Sequence, residues 1–224
     1  MKQLPLAIAP PPEADFDSFV VGPNAQAVQH LRALVVHAAP VFLWGPSGSG
    51  KTRLLRALAM QRQSQGERVG WFDAAQPLPW SLDEGWSLVL LDGCDALDEA
   101  QQHAAFALYV EAGTHGVQWV AAGRVPPVDL PVREDLRTRL AWGHVFALQA
   151  LAERETRSVL RREADRRGIF LSDEVMDHLL TRFQRDLKHL MQLLDRLDDF
   201  ALAERRAVTV PLLRKMLAED GSLP

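Results

Sequence analysis

The chain has 224 residues, with 25 basic and 29 acidic side chains and a formal net charge of -4. A protein whose main task is to grip the phosphate backbone of nucleic acid carries a basic excess, so this balance argues against direct DNA binding. The apolar windows are far shorter than the roughly 20 residues that a bilayer-spanning helix needs. With a single cysteine, Cys94, and no secretory signal pattern, the sequence predicts a cytoplasmic protein without a membrane span.

Residues 1–14 are predicted to form an extended tail, because they are apolar and contain three consecutive prolines. An extended segment cannot bury Leu4, Leu6 and Ile8 by itself. These side chains therefore either pack on the chain's own domain or insert into a groove of a partner. The residues alone leave both alternatives open.

The rest of the chain alternates strands and helices up to residue 149 and is helical from residue 150. We predict strands at 41–44, 68–72, 87–91, 117–122 and 145–148, and helices at 24–36, 53–65, 99–113 and within 134–143. This alternation predicts an α/β domain at 15–149, with a mainly parallel sheet flanked by helices. Helices at 153–167, after Ser172, at 187–201 and at 209–217 predict a small all-helical lid domain at 150–224.

A phosphate-binding loop follows the first predicted strand. The pattern G-x-x-x-x-G-K-[ST] is matched at every required position by Gly45, Pro46, Ser47, Gly48, Ser49, Gly50, Lys51 and Thr52. Glycines let backbone N–H groups turn inward around an anion, and the next helix directs the positive end of its dipole at the phosphates. Lys51 is expected to reach the β- and γ-phosphates and the Thr52 hydroxyl to bind Mg²⁺.

A second nucleotide motif is predicted where the apolar run 87–91 ends at Asp92. Such a run is typical of a buried parallel strand. Because it follows a complete phosphate-binding loop, its terminal carboxylate is expected to hold Mg²⁺ partly through water. Asp95 and Asp98 come soon after, and helix N-capping is the simpler explanation for both.

The order of these motifs resembles the AAA+ module of the bacterial replication initiator DnaA. The shared features are the loop, Leu-Leu-Asp, a strand with a Pro-Pro turn, Arg-Thr-Arg-Leu-Ala-Trp-Gly at 137–143 and a helical lid. Phe19-Val20-Val21-Gly22 with Asn24 resembles the segment that leads into that module's nucleotide pocket, which implies that Val20 and Val21 contact the nucleotide. No helix-turn-helix pattern follows the lid, so contact with DNA is expected to be indirect. Among shorter DnaA relatives, the sequence is similar to the Hda family of regulatory inactivators.

The Hda family begins with a clamp-binding motif of the form Gln-Leu-x-Leu, which Gln3, Leu4 and Leu6 match. The resemblance implies that the tail binds the β sliding clamp and that the protein binds ADP or ATP with Mg²⁺. It also implies that the protein promotes hydrolysis of the ATP held by DnaA. Formation of a homodimer stays open.

Arg139 matches the family's trans-acting arginine finger in its Ser/Thr-Arg-hydrophobic pattern. A guanidinium stays charged and can bind two phosphate oxygens, which suits this role. Arg137 is the neighbouring alternative, and either arginine could instead form an ion pair with Glu134 or Asp135. Lys188 stands where the family usually carries the arginine of the lid sensor.

Two departures from the family pattern concern hydrolysis. Gly93 follows Asp92, where relatives tend to carry a carboxylate or amide that orients water, and Arg124 lies in the turn where an aspartate of the first sensor is typical. They imply weak intrinsic ATPase activity and a nucleotide held as a structural ligand. Two other functions stay open: an AAA+ ATPase or helicase-loader-like protein that hydrolyses its own ATP, and a non-catalytic adaptor tethered to the clamp.

Overall fold

The computed structural model describes residues 15–35, 38–182 and 187–219. These residues divide into two compact units, with the division between Ala150 and Leu151. The predicted clamp-binding residues Gln3, Leu4 and Leu6 lie outside the described residues. Within the described part of the chain, no helix is long and apolar enough to cross a membrane.

The first unit is built on five parallel strands. These are β1 (Val41–Trp44), β2 (Arg68–Phe72), β3 (Trp86–Leu91), β4 (Gln118–Gly123) and β5 (His144–Ala147). Their order across the sheet is β2-β3-β4-β1-β5. Every neighbouring pair is parallel, so the carboxyl ends of all five strands lie at the same edge of the sheet. All five begin and end within one residue of the predicted positions.

Helices cover both faces of this sheet. They are α1 (Ala25–Arg32), α2 (Lys51–Ser64), α3 (Glu99–Thr114) and α4 (Glu134–Ala141). Leu43 packs in one core with residues of α1 and α2, whereas Phe42 packs in the other with residues of α3 and α4. Successive strand residues point to opposite faces of a pleated sheet, so each strand supplies both cores.

Helix α1 ends at Arg32 and not near residue 36 as predicted. The carbonyl of Leu34 accepts a hydrogen bond from the buried guanidinium of Arg62 on α2. This tertiary contact satisfies the carbonyl outside a helix, so an extension of α1 is not needed to pair it.

The second unit is entirely helical among the residues described from Leu151 onward. It contains α5 (Glu153–Arg166), α6 (Asp173–Arg182), α7 (Leu187–Glu204) and α8 (Val210–Glu219), and the four helices share one apolar core. Ser172 Oγ accepts from the backbone N–H of Val175 at 3.3 Å, which confirms the predicted N-cap. The predicted fold class, a parallel α/β sheet with a small all-helical lid, is confirmed.

Candidate nucleotide-binding site

The phosphate-binding loop joins β1 to α2 and depends on glycine at two positions. Gly50 has a φ of 98°, and a Cβ there would lie 2.8 Å from Cε2 of Phe19. Gly45 has a φ of 155°, and a Cβ there would lie 2.2 Å from the carbonyl oxygen of Leu148. Glycine avoids both the clash and the backbone strain. The loop can therefore pack closely between Phe19 and the residue that follows β5.

The side chains predicted to bind phosphate and Mg²⁺ come together at this loop. Lys51 Nζ donates to the carbonyl oxygens of Gly45 and Pro46 at 2.7 and 2.8 Å. Thr52 Oγ1 donates to Asp92 Oδ2 at 2.6 Å. Burial raises the pKa of the Asp92 carboxyl, while the hydrogen bond from Thr52 and the charge of Lys51 oppose this shift. Ammonium, hydroxyl and carboxylate groups thus converge where β1 and β3 end.

The other loop residues, Ser47, Gly48 and Ser49, complete the turn before α2 begins at Lys51. Ser49 is buried, and its N–H donates to the carbonyl of Pro46 at 3.3 Å. This hydrogen bond holds the middle of the loop as a tight turn.

The segment that contains Val20 and Val21 lies beside the loop. Arg53, in the first turn of α2, donates to the carbonyl and hydroxyl oxygens of Ser18 at 3.3 and 3.1 Å. Phe19 is buried with its ring at Gly50, and the partly exposed Val20 and Val21 follow directly. A contact of the two valines with nucleotide stays a prediction.

Asp95 and Arg124 join the ends of β3 and β4. The Asp95 carboxylate accepts from the backbone N–H of Arg124 at 2.8 Å and also from its Nε. Burial would raise the pKa of Asp95, but the hydrogen bonds and charge of Arg124 outweigh it and lower the pKa. The N-capping role suggested for Asp95 is therefore wrong. It is confirmed for Asp98, which accepts from the N–H of Gln101 at 2.8 Å at the start of α3.

Arg139 lies at the opposite edge of the sheet from the loop. It is near the end of α4, and β5 then begins at His144, which pairs with Val41 at the start of β1. The loop follows Trp44 at the end of β1. Val41 and Trp44 are three residues apart along β1, which is roughly 10 Å at about 3.3 Å per residue. The backbone of Arg139 is therefore separated from the chain's own loop by about the length of β1.

Arg139 is exposed and Arg137 is partly buried. Within the described ranges, neither forms an ion pair with Glu134 or Asp135, and Asp135 instead pairs with Arg133 at 2.7 Å. The structural ion pair considered as an alternative for the two arginines is thus not formed among these residues.

Lys188, the predicted lid sensor, is exposed at the second position of α7 in the helical unit. Its role stays a prediction. Among residues 15–35, 38–182 and 187–219, no group of three or more His, Cys, Asp or Glu side chains is arranged to hold a metal ion.

Sequence reasoning missed two contacts at this edge of the sheet. One is the Asp95–Arg124 pair, and the other joins the side chain of Asn24 to the backbone of Gln149. The opposite charges that follow two adjacent predicted strands were a signal for the first contact. For the second, the sign in the sequence was the position of Asn24 at the start of a predicted helix.

Comparisons with known proteins match both units. Residues 153–217 match the family model of the Hda lid domain, and residues 12–77 match that of the bacterial DnaA ATPase domain. Domain III of the Thermotoga maritima replication initiation protein DnaA is similar, with a TM-score of 0.76 and 20% identity over 93% of this chain and 97% of that one.

Two further solved structures share the fold. AMPPCP-bound DnaA from Aquifex aeolicus has a TM-score of 0.70 and 22% identity over 94% of this chain and 71% of that one. The Thermotoga maritima RuvB Holliday junction branch migration motor has a TM-score of 0.58 and 18% identity, over 82% of this chain and 63% of that one.

Proposed function

Because this chain is a DnaA-like AAA+ protein of the Hda type, we propose that it restrains replication initiation by stimulating hydrolysis of DnaA-bound ATP in trans. The observation that carries the proposal is the position of Arg139, exposed at the edge of the sheet remote from the chain's own phosphate-binding loop. An arginine there suits the nucleotide of a neighbouring molecule better than its own.

The chain's own loop fits an adenine nucleotide with Mg²⁺. The loop and the start of α2 offer backbone N–H donors to phosphates, with Lys51 beside them. The Thr52 hydroxyl and the Asp92 carboxylate are oxygen ligands of the kind that Mg²⁺ prefers, directly and through water. Bound Mg²⁺ would neutralise charge on the β- and γ-phosphates. AMPPCP, an ATP analogue, is bound by the DnaA of Aquifex aeolicus, which supports ATP or ADP as the ligand.

In the partner's site, the Arg139 guanidinium would bind oxygens of the γ-phosphate and stabilise charge as the phosphoryl group is transferred to water. A planar guanidinium can bind two oxygens at once. Fingers of this kind contribute ~10³ to 10⁵ in rate.

The surface next to Arg139 supports contact with a partner. A cleft of about 600 Å³ is lined by Arg139, Tyr109, Val110 and Trp142 among others. Val110 is 47% exposed and Trp142 is 66% exposed. Aromatic side chains with an arginine are enriched at the buried centres of protein interfaces.

The N-terminal tail would bring the protein to its target. In the clamp-binding motif, Gln3 would be the polar anchor, and Leu4 and Leu6 would fill an apolar pocket of the β sliding clamp. Contact with DNA would then be indirect, through the clamp. Such a partner of DnaA would work in the cytoplasm.

A conventional ATPase or helicase-loader-like protein is the second candidate. Gly93 counts against it, because no side chain at this position can orient water beside Asp92. The tail counts against it as well, because a loader has no need of a clamp motif. A non-catalytic adaptor would share every feature except the chemistry of Arg139.

Reconstituting clamp-loaded DNA with ATP-bound DnaA tests the proposal. We expect Arg139→Ala to reduce the stimulated rate of hydrolysis to near background and Arg137→Ala to retain most of it. A double Gln3→Ala and Leu4→Ala variant should lose clamp binding and stimulation together. Full stimulation by Arg139→Ala would leave the adaptor as the better description, and normal clamp binding by the tail variant would refute the tail assignment.

A further inference from the structure

Two imidazole rings lie against each other where α1 packs on β5. His30 is in the last turn of α1, and His144 is the first residue of β5. Their ring centres are 4.4 Å apart, and the ring planes make an angle of 57°. His30 is partly buried and His144 is exposed, so the pair is partly covered by the protein and open to solvent at His144.

The ring of Phe146 forms an apolar wall beside this pair. Alternate residues of a strand share one face, so His144 and Phe146 lie on the same face of β5. The ring centre of Phe146 is 5.0 Å from that of His30 and 6.4 Å from that of His144. β5 is the last strand in the sheet order, and no described strand lies on its other side. Local packing therefore holds the two imidazoles next to an open edge of the sheet.

The nitrogen atoms of the two rings have no partner among the residues that the structure describes. In residues 15–35, 38–182 and 187–219, neither ring forms a hydrogen bond or an ion pair, and His30 Nε2 is buried. Buried polar atoms almost always have partners, and a bound ion is one way to supply them. Burial, reinforced by the charge of His144, lowers the pKa of His30. The neutral imidazole that this favours carries a nitrogen lone pair that can bind a metal ion.

The spacing of the two rings suits a single metal ion between them. A ring nitrogen lies about 2.0–2.1 Å from a bound Zn²⁺, which places the centres of two rings on one ion about 4.5–5.2 Å apart. The observed 4.4 Å is just below this range, and a small rotation of the exposed His144 side chain covers the difference. Imidazole ligands suit zinc, copper and nickel, whereas Mg²⁺ prefers oxygen.

We propose that His30 and His144 together bind one divalent transition-metal ion of the zinc, copper and nickel class, with water at the remaining coordination positions. The site is separate from the phosphate-binding loop, and the inference does not depend on the proposed function. A bound ion would join α1 to β5 at one end, as Asn24 and Gln149 join these elements at the other. The ion would therefore stabilise the first unit.

Aromatic packing alone is the competing explanation, because His30, His144 and Phe146 also form a small cluster of rings. Phenylalanine distinguishes the two explanations, since it retains an aromatic ring but has no nitrogen that can bind a metal. His30→Phe and His144→Phe are therefore the test variants. His115→Ala is the control, because His115 is an exposed histidine at the end of α3, where its Nδ1 lies 2.9 Å from the carbonyl oxygen of Glu111.

Binding of Cu²⁺ and of Zn²⁺ should be measured by titration calorimetry on the full chain without an affinity tag, in excess Mg²⁺ so that oxygen sites are occupied. We expect Cu²⁺ to bind more tightly than Zn²⁺, and its electron paramagnetic resonance spectrum to show two nitrogen ligands. Loss of even an outer-shell partner costs about 10–100-fold in metal affinity, so each phenylalanine variant should raise the Kd of Cu²⁺ at least about tenfold. His115→Ala should leave this Kd unchanged.

Thermal unfolding is the second measurement, and it shows whether the variants fold. Without metal, both phenylalanine variants should unfold near the temperature of the wild type, and added Zn²⁺ should stabilise the wild type and His115→Ala but neither phenylalanine variant. If His30→Phe is destabilised, His144→Phe decides, because His144 is exposed. Unchanged Cu²⁺ affinity in His144→Phe, an equal loss in His115→Ala, or a spectrum with a single nitrogen ligand would overturn the metal site.

Discussion

Asn24 and Gln149 exchange two hydrogen bonds, although 125 positions separate them in the chain. Asn24 Nδ2 donates to the carbonyl of Gln149 at 3.0 Å, and the N–H of Gln149 donates to Asn24 Oδ1 at 2.8 Å. The Asn24 residue is 4% exposed. The side-chain amide of Asn24 therefore pairs both the N–H and the carbonyl of Gln149. This pairing holds the segment that follows β5 at the start of α1.

Replacing Asn24 by alanine should leave both backbone groups of Gln149 without these partners. We expect Asn24→Ala to lower the free energy of unfolding by about 1–3 kcal/mol, measured by urea denaturation. Gln26→Ala, at an exposed position of α1, is the matched control and should change it by less than about 0.5 kcal/mol. Equal stability of the two variants would show that the double hydrogen bond contributes nothing.

Close packing of the phosphate-binding loop predicts different effects at two glycines of similar backbone conformation. Gly50 and Gly66 have φ of 98° and 81°. A Cβ at Gly50 would lie 2.8 Å from Cε2 of Phe19, whereas a Cβ at Gly66 would have no atom of a described, non-adjacent residue within 4 Å. Gly66→Ala should cost about 1–2 kcal/mol of backbone strain. Gly50→Ala should cost a further 1–3 kcal/mol, roughly, because the ring must move. Thermal unfolding without nucleotide measures the stability of both variants. An equal loss of stability in the two would contradict the steric argument.

Asp92 should make the stability of the nucleotide-free protein depend on pH. Burial raises its pKa in the folded state above the unfolded value. The folded state therefore binds the proton more tightly, so ionised Asp92 destabilises the fold at high pH, and this effect fades as the pH falls through the folded pKa. Asparagine carries no charge and can still accept from Thr52. Asp92→Asn should thus be more stable than the wild type at pH 8, with a smaller difference in acid.

Asp83 offers a control of opposite sign for this experiment. Hydrogen bonds from the N–H of Gly85 and from Arg68 lower its pKa. Its contribution to stability is present above the unfolded pKa and is lost as the pH falls through the folded pKa. Asp83→Asn should therefore be less stable than the wild type at pH 8 and should converge with it in acid. Urea denaturation from pH 8 into acid measures the stability of both variants. The same trend with pH for both would refute the raised pKa of Asp92.

The features of this molecule that could be predicted are those determined by residues close together in the sequence. Strand periodicity, the eight-residue loop and the cap formed by Asp98 and Gln101 all depend on short stretches of sequence. The Asp95–Arg124 pair spans 29 positions. It exists because β3 and β4 are neighbours in the sheet, which hydrophobic periodicity does not specify. The end of α1 was misplaced for the same reason, since the carbonyl of Leu34 is paired by Arg62 from another helix.

Gly93 is the position where a single substitution should most readily raise the chain's own ATP hydrolysis. Its φ of 70° lies in the left-handed region, which aspartate adopts more readily than most residues. Apart from its two chain neighbours, no described residue has a heavy atom within 4 Å of an added Cβ. Gly93→Asp would place a carboxylate next to Asp92, where it can orient or deprotonate water. Because general bases contribute ~10² to 10⁴ in rate, we expect its own ATP hydrolysis to rise at least about tenfold in the absence of DnaA.

Gly93→Ala is the control, because it introduces a Cβ into the same backbone conformation without any polar group. Single-turnover hydrolysis of ATP by the three proteins separates the two effects, and only the aspartate variant should be faster than the wild type. If the alanine variant gains as much, the change acts through the backbone. If neither gains, Gly93 does not limit hydrolysis, and Arg124 at the end of the adjacent strand becomes the next position to change.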